Sequence, residues 1–124
     1  MKEEEMLAKK VWAVVGANDN PEKYGNMIYK KLKSKGYEVY PVNPNYNEID
    51  GDVCYKNLSS LPKVPEVIDM VVSPRHGKGI IEEAHRLDIK NIWLQPGTYD
   101  DELISILEEK GMNYVKACVL VALR

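Results

Sequence analysis

The residues best suited to bind a ligand follow the first apolar segment of the chain. Gly16 comes directly after residues 11–15, and Gly25 stands at the predicted start of a helix. Glycines at these two places allow a phosphate group to lie against free backbone N–H groups at a helix N-terminus. Lys23, between them, adds a positive charge. The spacing differs from the G-x-G-x-x-G fingerprint and from the P-loop, so phosphate binding and a merely structural turn are both open at this point.

Three further turns, each after an apolar segment, carry similar residue types. They are Asn43-Pro44-Asn45, Ser73-Pro74-Arg75-His76-Gly77-Lys78 and Gln95-Pro96-Gly97-Thr98. Glycine, proline, asparagine and serine leave backbone N–H groups free for a ligand, while Arg75 and Lys78 supply positive charge. An NAD site requires an acidic residue near the position of Asn43, which disfavours ordinary NAD binding. A phosphorylated nucleotide such as NADP remains an alternative.

Candidates for catalysis and for metal binding are few. His76 has the chemistry of an acid or base, but the sequence places no serine or cysteine as its nucleophile, which favours a binding role. Asp69 is interpreted as a turn or capping residue. Cys54 and Cys118 are too few for a disulfide framework and lack metal-ligand spacing, so we expect no metal. Cys118 is interpreted first as a small buried hydrophobe, and a reactive thiol that is modified under oxidation stays open as the alternative.

The composition is that of one globular domain. The chain has 124 residues, a net charge of -2, and 44% hydrophobic against 29% charged residues. The charge balance argues against a general nucleic-acid binder, and no apolar run approaches the roughly 20 residues of a membrane span. The acidic start of the chain has no secretory signal, so we expect a cytoplasmic protein. Residues 1–124 would form a single domain, with 1–10 as an N-terminal extension.

Apolar strands alternate with amphipathic helices along the chain. Strands are predicted at 11–15, 38–42, 68–72, 91–94 and 112–118, and helices at 24–35, 79–87 and 100–110. This alternation predicts an α/β protein with a Rossmann-like three-layer α/β/α architecture and a parallel sheet of five or six strands. Residues 53–55 would be a short edge strand, third in the order third-second-first-fourth-fifth-sixth. The four turns would then meet at one edge of the sheet.

Three segments resemble a known family. They read VVGAN at 14–18, GYEVYPVNP at 36–44 and WLQPG at 93–97. In this order and spacing the chain is similar, from about Val11 to Arg124, to the single-domain CoA-binding proteins, which are related to the N-terminal domain of the succinyl-CoA synthetase alpha subunit. The resemblance implies a Rossmann-type domain that binds coenzyme A. We expect no enzyme activity, and a role as a carrier, sensor or regulatory module.

The resemblance also implies which residues contact coenzyme A. Those near the phosphates or the adenosine are Gly16, Ala17, Asn18 and Lys23, with Tyr24 and Gly25 beside them. Those flanking the nucleotide are Asn43, Pro44, Ser73, Pro74 and Arg75, and those closing the crevice are Gln95, Pro96 and Gly97. The chain departs from the family in having Asn18 where serine is common, and Arg75 after the proline rather than before it.

Two alternatives to a non-catalytic CoA module stay open. One is a Rossmann module for another phosphorylated adenine nucleotide, such as NADP. The other is a small enzyme that acts on an acyl-CoA with His76 as the base. The expected partner is CoA or an acyl-CoA, with no nucleic acid and no membrane, and the edge strands and tyrosines are compatible with a homodimer.

Overall fold

A five-stranded parallel sheet organises the protein, whose residues 2–124 are described by a computed structural model. The strands are β1 (Val11–Val15), β2 (Glu38–Val42), β3 (Glu48–Ile49), β4 (Asp52–Val53), β5 (Val67–Met70), β6 (Asn91–Leu94) and β7 (Asn113–Lys116). The main sheet has the order β2-β1-β5-β6-β7, and β3 and β4 form a separate antiparallel hairpin. The predicted α/β architecture with a parallel sheet is therefore confirmed.

The expected third strand is reduced to a single bridge. Tyr55 pairs with Val42 in parallel, which puts it at the predicted place beside β2. The Tyr55 N–H donates to the Pro41 carbonyl, and the Asn43 N–H donates to the Tyr55 carbonyl. Val53, by contrast, pairs antiparallel with Glu48. Because residues 52–53 pair with β3 in the hairpin, they do not extend the main sheet beside β2. The sheet therefore has five strands rather than six.

Two apolar layers cover the sheet because its strands alternate their side chains. In β1, Ala13 and Val15 face one layer, while Trp12 and Val14 face the other. The first layer contains α3 (Pro74–Arg86) and α4 (Asp101–Glu109); the second contains α1 (Lys2–Leu7), α2 (Tyr24–Ser34) and α5 (Val119–Ala122). A short 3₁₀ helix covers Leu58–Ser60. Burial on both faces explains why the strands read as nearly continuous apolar runs.

The structure lengthens one predicted helix at its start. We predicted a loop at residues 73–78 and a helix from 79, but α3 begins at Pro74, with Ser73 as its N-cap. Proline suits the first helical position because its fixed φ fits the helix and it has no N–H to leave unpaired. Arg75 and His76 therefore lie on an exposed helical turn rather than on a loop over the crevice.

Asp69 differs most from its interpretation as a turn or capping residue. It lies inside β5, paired with Val14 on one side and Trp93 on the other, and its side chain is fully buried. Neither carboxylate oxygen has a hydrogen-bond partner among the described residues. Burial raises the pKa of this carboxyl well above its usual range because the charged form loses its hydration.

Residues at the start of the chain pack against the domain. In α1, Met6 is buried in the same apolar layer as α2. The Tyr37 hydroxyl donates to the Leu7 carbonyl at 2.5 Å. The segment predicted as an N-terminal extension thus includes a short helix that contributes one core side chain.

Candidate functional site

A cavity of about 480 Å³ opens at the carboxyl edge of the sheet, where the turns after β1, β5 and β6 meet. Small-molecule sites commonly fall in this range of volume. The lining residues are Gly16, Asn18, Lys23, Tyr24, Gly25, Ile28, Val71, Val72, Ser73, Gln95, Pro96, Gly97, Thr98 and Cys118. The cavity lies where open parallel sheets bind their ligands.

The turn between β1 and α2 is held by two glycines in close contact. Gly16 has φ +98°, a left-handed conformation that favours glycine. At Gly25, a Cβ atom would lie 2.2 Å from the Gly16 carbonyl oxygen and 3.1 Å from the Asn18 nitrogen. The start of α2 therefore lies so close to the end of β1 that a Cβ at Gly25 does not fit between them, and this contact shapes the wall of the cavity.

Side-chain hydrogen bonds fix the rest of this turn. The Asn26 amide donates to the Asn18 carbonyl at 2.9 Å, and the Asn43 amide donates to the Ala17 carbonyl at 2.8 Å. The side-chain oxygen of Asn18 accepts from the Asn20 N–H and from the Tyr46 hydroxyl. Because that oxygen is engaged twice, the side-chain nitrogen of Asn18 is the group left to donate to a ligand.

The electrostatics of the cavity suit an anion. Among the described residues that line it, Lys23 carries the one charge, and it forms no ion pair within residues 2–124. Lys23 is also the N-cap of α2 and supplies no side-chain cap. The backbone N–H groups of Tyr24 and Gly25 have no acceptor within residues 2–124, and both residues line the cavity, in the position where helices bind phosphate.

The turn after β6 closes the far side of the cavity. Gln95 is 4% exposed, and its side-chain oxygen accepts from the Val119 N–H at 3.0 Å. Its carbonyl accepts from the Thr98 N–H and from the Thr98 hydroxyl. This turn connects the cavity to α5, which packs against α2. Cys118, the N-cap of α5, is brought in this way to the cavity wall.

Most of the residues predicted to contact a ligand line this cavity, and five do not. Ala17 is fully buried, and the Asn43 amide is occupied by the turn that it supports. Pro44, Pro74 and Arg75 lie outside the lining. Lys78, considered for its charge, forms an ion pair with Glu102 at 2.5 Å instead.

Five lining residues were not among the predicted contacts: Ile28, Val71, Val72, Thr98 and Cys118. Ile28 follows Tyr24 by one helical turn and so shares its face of α2, a signal that the sequence did contain. Val71 and Val72 were predicted as buried strand residues, but β5 ends before them and leaves them half-buried at the cavity. Thr98 belongs to a turn that was recognised, although it was not assigned a contact.

One polar pair at the cavity was not expected. The Ser73 hydroxyl lies 3.2 Å from Nδ1 of His76, and both side chains are exposed at the start of α3. The sequence placed no nucleophile for His76, whereas the helical turn brings Ser73 within reach. Ser73 is the N-cap of α3 and His76 is its third residue, but Ser73 makes no side-chain cap hydrogen bond, so the contact joins the two side chains only.

Within residues 2–124, no helix has the length and apolar character needed to cross a membrane. The same residues contain no cluster of three or more histidine, cysteine or acidic side chains arranged to hold a metal ion.

Comparison with known proteins decides the family. The sequence profile described as a CoA binding domain matches residues 10–124. The chain belongs to the CoA binding domain family. It is 35% identical over 114 residues to the uncharacterized protein YneT of Bacillus subtilis, covering 89% of this chain and 82% of YneT.

Further matches include one larger protein and one of similar length. The chain is 30% identical over 122 residues to the ADP-forming acetate–CoA ligase I of Archaeoglobus fulgidus, covering 90% of this chain but 18% of the ligase. Among solved structures, a conserved hypothetical protein from Pyrococcus furiosus has a TM-score of 0.85 and 45% identity, with coverage of 91% of this chain and 98% of that one. The CoA binding domain thus occurs both alone and as a fraction of a ligase.

Proposed function

We propose that this chain binds coenzyme A in the cavity between β1, β5 and β6, and that it does so without catalysing a reaction. The observation that carries the proposal is that Lys23 and the unpaired N–H groups of Tyr24 and Gly25 lie together at one cavity. No described carboxylate lines that cavity. A diphosphate needs such donors and would be repelled by an acidic residue. Membership of the CoA binding domain family supports coenzyme A as the source of that diphosphate.

The remaining lining suits the rest of the coenzyme. Ile28, Val71 and Val72 provide an apolar floor for the pantetheine chain, which has long uncharged stretches. The side chain of Asn18 and the turn at Gln95 provide polar groups for its amides. A mostly apolar cavity with a few placed donors is the usual design of a cofactor site.

NADP is disfavoured by the position after β2. There, a Rossmann-type NAD site places an acidic residue, and an NADP site a basic one, beside the adenosine ribose. In this chain Asn43 stands at that position, and its amide is used within the protein, between Ala17 and Asn45.

Calorimetric titration with CoA, dephospho-CoA, NADP and NAD tests the proposal. We expect CoA to bind more tightly than NADP or NAD. Lys23→Ala should weaken CoA binding about three- to tenfold and reduce its dependence on salt, because an exposed charge-assisted contact is worth about 1 kcal/mol. Lys78→Ala is the matched control, since Lys78 pairs with Glu102 outside the cavity, and it should leave the affinity unchanged. Equal losses in both variants, or tighter binding of NADP, would contradict the proposal.

A second candidate, hydrolysis of an acyl-CoA, is favoured by the contact between Ser73 and His76. In that reaction His76 would take the proton of the Ser73 hydroxyl as it attacks the thioester. Incubation with acetyl-CoA, followed by detection of the released thiol, tests this candidate. Release that disappears in His76→Ala, with CoA affinity retained, would establish catalysis; release no faster than in buffer would exclude it for that substrate.

A further inference from the structure

Cys118 occupies a defined place in the cavity wall. The carbonyl of Ala117, just before it, accepts from the Trp93 indole N–H at 2.9 Å. The N–H of Val119, just after it, donates to the side chain of Gln95. Hydrogen bonds to buried side chains on both sides therefore hold the backbone of Cys118, while its thiol is half-buried and lines the cavity.

The second cysteine provides a contrast within the same molecule. Cys54 is buried, and its thiol lies 3.5 Å from the Asn43 carbonyl and 3.8 Å from the Tyr55 carbonyl. Burial raises the pKa of the Cys54 thiol. The thiol of Cys118, in contrast, has no hydrogen-bond partner among the described residues. The two cysteines thus differ in the exposure of the thiol and in its hydrogen bonding. Cys118 is the one that a ligand in the cavity can reach.

Gln95 gives an independent sign that this end of the cavity receives a polar ligand. Its side chain is nine-tenths buried and lines the cavity. The side-chain oxygen is satisfied by Val119, but the side-chain nitrogen donates to no acceptor within residues 2–124. That nitrogen is not fully enclosed by the protein, and it belongs to a side chain that lines the cavity. A buried amide that keeps a free donor beside Cys118 suits a ligand carrying an acceptor, such as a pantetheine amide.

We propose that Cys118 forms a mixed disulfide with the thiol end of coenzyme A when CoA disulfide is the oxidant. The inference rests on the proposed function, because it requires the nucleotide end of CoA to occupy the same cavity. The Cys118 thiolate attacks one sulfur of CoA disulfide, the S–S bond of that molecule breaks, and a bond from Cys118 to CoA forms. The second CoA leaves as a thiolate and takes up the proton that Cys118 lost.

This exchange would make the domain responsive to the redox state of the CoA pool. The bound nucleotide raises the effective concentration of the disulfide at Cys118, so exchange should be faster with CoA disulfide than with a disulfide that the cavity does not recognise. Excess free CoA thiol reverses the reaction by attack on the mixed disulfide. The chemical class of the modification is therefore a reversible CoA thiolation of one cysteine.

Mass spectrometry of the reduced chain after exposure to CoA disulfide tests the inference. We expect a gain equal to one CoA less two hydrogens, mapped to the peptide containing Cys118 and removed by a reductant. Cys118→Ser should abolish the adduct, and Cys54→Ser should retain it. Oxidised glutathione, which has the same reactive bond but no nucleotide, should modify Cys118 at least about tenfold more slowly, because the tethering gain is absent.

The outcomes separate this inference from the proposed function. CoA affinity is measured on the unaltered chain in excess reductant, where no disulfide persists. If CoA binds there but CoA disulfide leaves Cys118 unmodified, or modifies it no faster than oxidised glutathione does, the inference is wrong and the proposed function stands. If CoA does not bind under reducing conditions, the proposed function itself fails.

Discussion

Replacing Gly25 by alanine should damage both the fold and the site. The new Cβ would lie 2.2 Å from the Gly16 carbonyl oxygen, whereas carbon-to-oxygen contacts in proteins lie at about 3.3 Å or more. The turn between β1 and α2 must therefore open by about 1 Å, because the obstructing atom belongs to the backbone and cannot rotate away. Overpacking of this kind costs about 1–3 kcal/mol.

For a chain of this length, that loss lowers the melting temperature by about 3–5 °C per kcal/mol. The same displacement moves the open N–H groups at the start of α2, so CoA affinity should fall at least about tenfold, since a site must be held to within about 0.5 Å. Urea denaturation measures the loss of stability, and calorimetric titration measures the loss of CoA affinity.

Gly79→Ala is the matched control, since Gly79 is also a helical glycine. Its Cβ would meet nothing within 4 Å. We therefore expect Gly79→Ala to stabilise the protein by about 0.5–1 kcal/mol, because alanine loses less backbone entropy in a helix than glycine. CoA affinity should be unchanged. If Gly25→Ala proves as stable as the unaltered chain, the close approach of Gly25 to Gly16 is refuted, and with it the described shape of the cavity wall.

Two other replacements probe the core and the support of the cavity. Asp69→Asn should remove a pH dependence of the free energy of unfolding. Burial raises the pKa of Asp69 in the folded state, so the folded chain keeps a proton that the unfolded chain loses above about pH 4. The unaltered chain should therefore lose up to about 1.4 kcal/mol of stability per pH unit above about pH 4, until that raised pKa is reached. Urea midpoints from pH 4 to pH 8, a range of about four units, should diverge between the two proteins, and parallel curves would contradict a buried, unpaired carboxyl. Asn43→Ala should cost about 1–2 kcal/mol and weaken CoA binding, because the Ala17 carbonyl loses its donor. Asn57→Ala is the control, because it removes only the side-chain cap that accepts from the Ser60 N–H. It should destabilise the protein by a similar amount without altering CoA affinity. If the two variants changed CoA affinity equally, the role of Asn43 in supporting the cavity would be refuted.

The position of the cavity could be predicted because topology determines it. Parallel strands joined by helices bring their carboxyl ends to one edge, so the turns at Gly16, Ser73 and Gln95 had to meet once the strands were recognised. The glycines in the first turn were also informative, since their residue type already implied close backbone contact. These inferences needed only local pattern and the handedness of the connections.

The direction of individual side chains was harder to predict. Ser73-Pro74 was interpreted as part of a loop, although serine followed by proline is also a good helix start, and only the packing of α3 decides between the two. This choice turns Arg75 away from the cavity. Asp69 falls within the strand predicted at 68–72, but its interpretation as a turn or capping residue was wrong, since a carboxylate is rarely buried without a partner and this one is.

The position of Cys118 depends on contacts distant in sequence. It reaches the cavity because α5 returns across the sheet to pack on α2, guided by the bond from the Val119 N–H to Gln95. Nothing near Cys118 in the sequence signals that return. A thiol after the last strand was therefore interpreted first as a buried hydrophobe, with reaction under oxidation as the alternative, and the structure leaves it half-buried at the cavity wall.

The proposed site of coenzyme A is the cavity at the carboxyl edge of the sheet. Mapping of backbone amide chemical shifts by NMR during a CoA titration tests it most directly. If CoA binds there, saturable shifts should be concentrated at Gly16, Gly25 and Gly97, which all line that cavity. Shifts concentrated instead in the groove beside β2, at Val39 and Val53, or no saturable shifts at all, would contradict it.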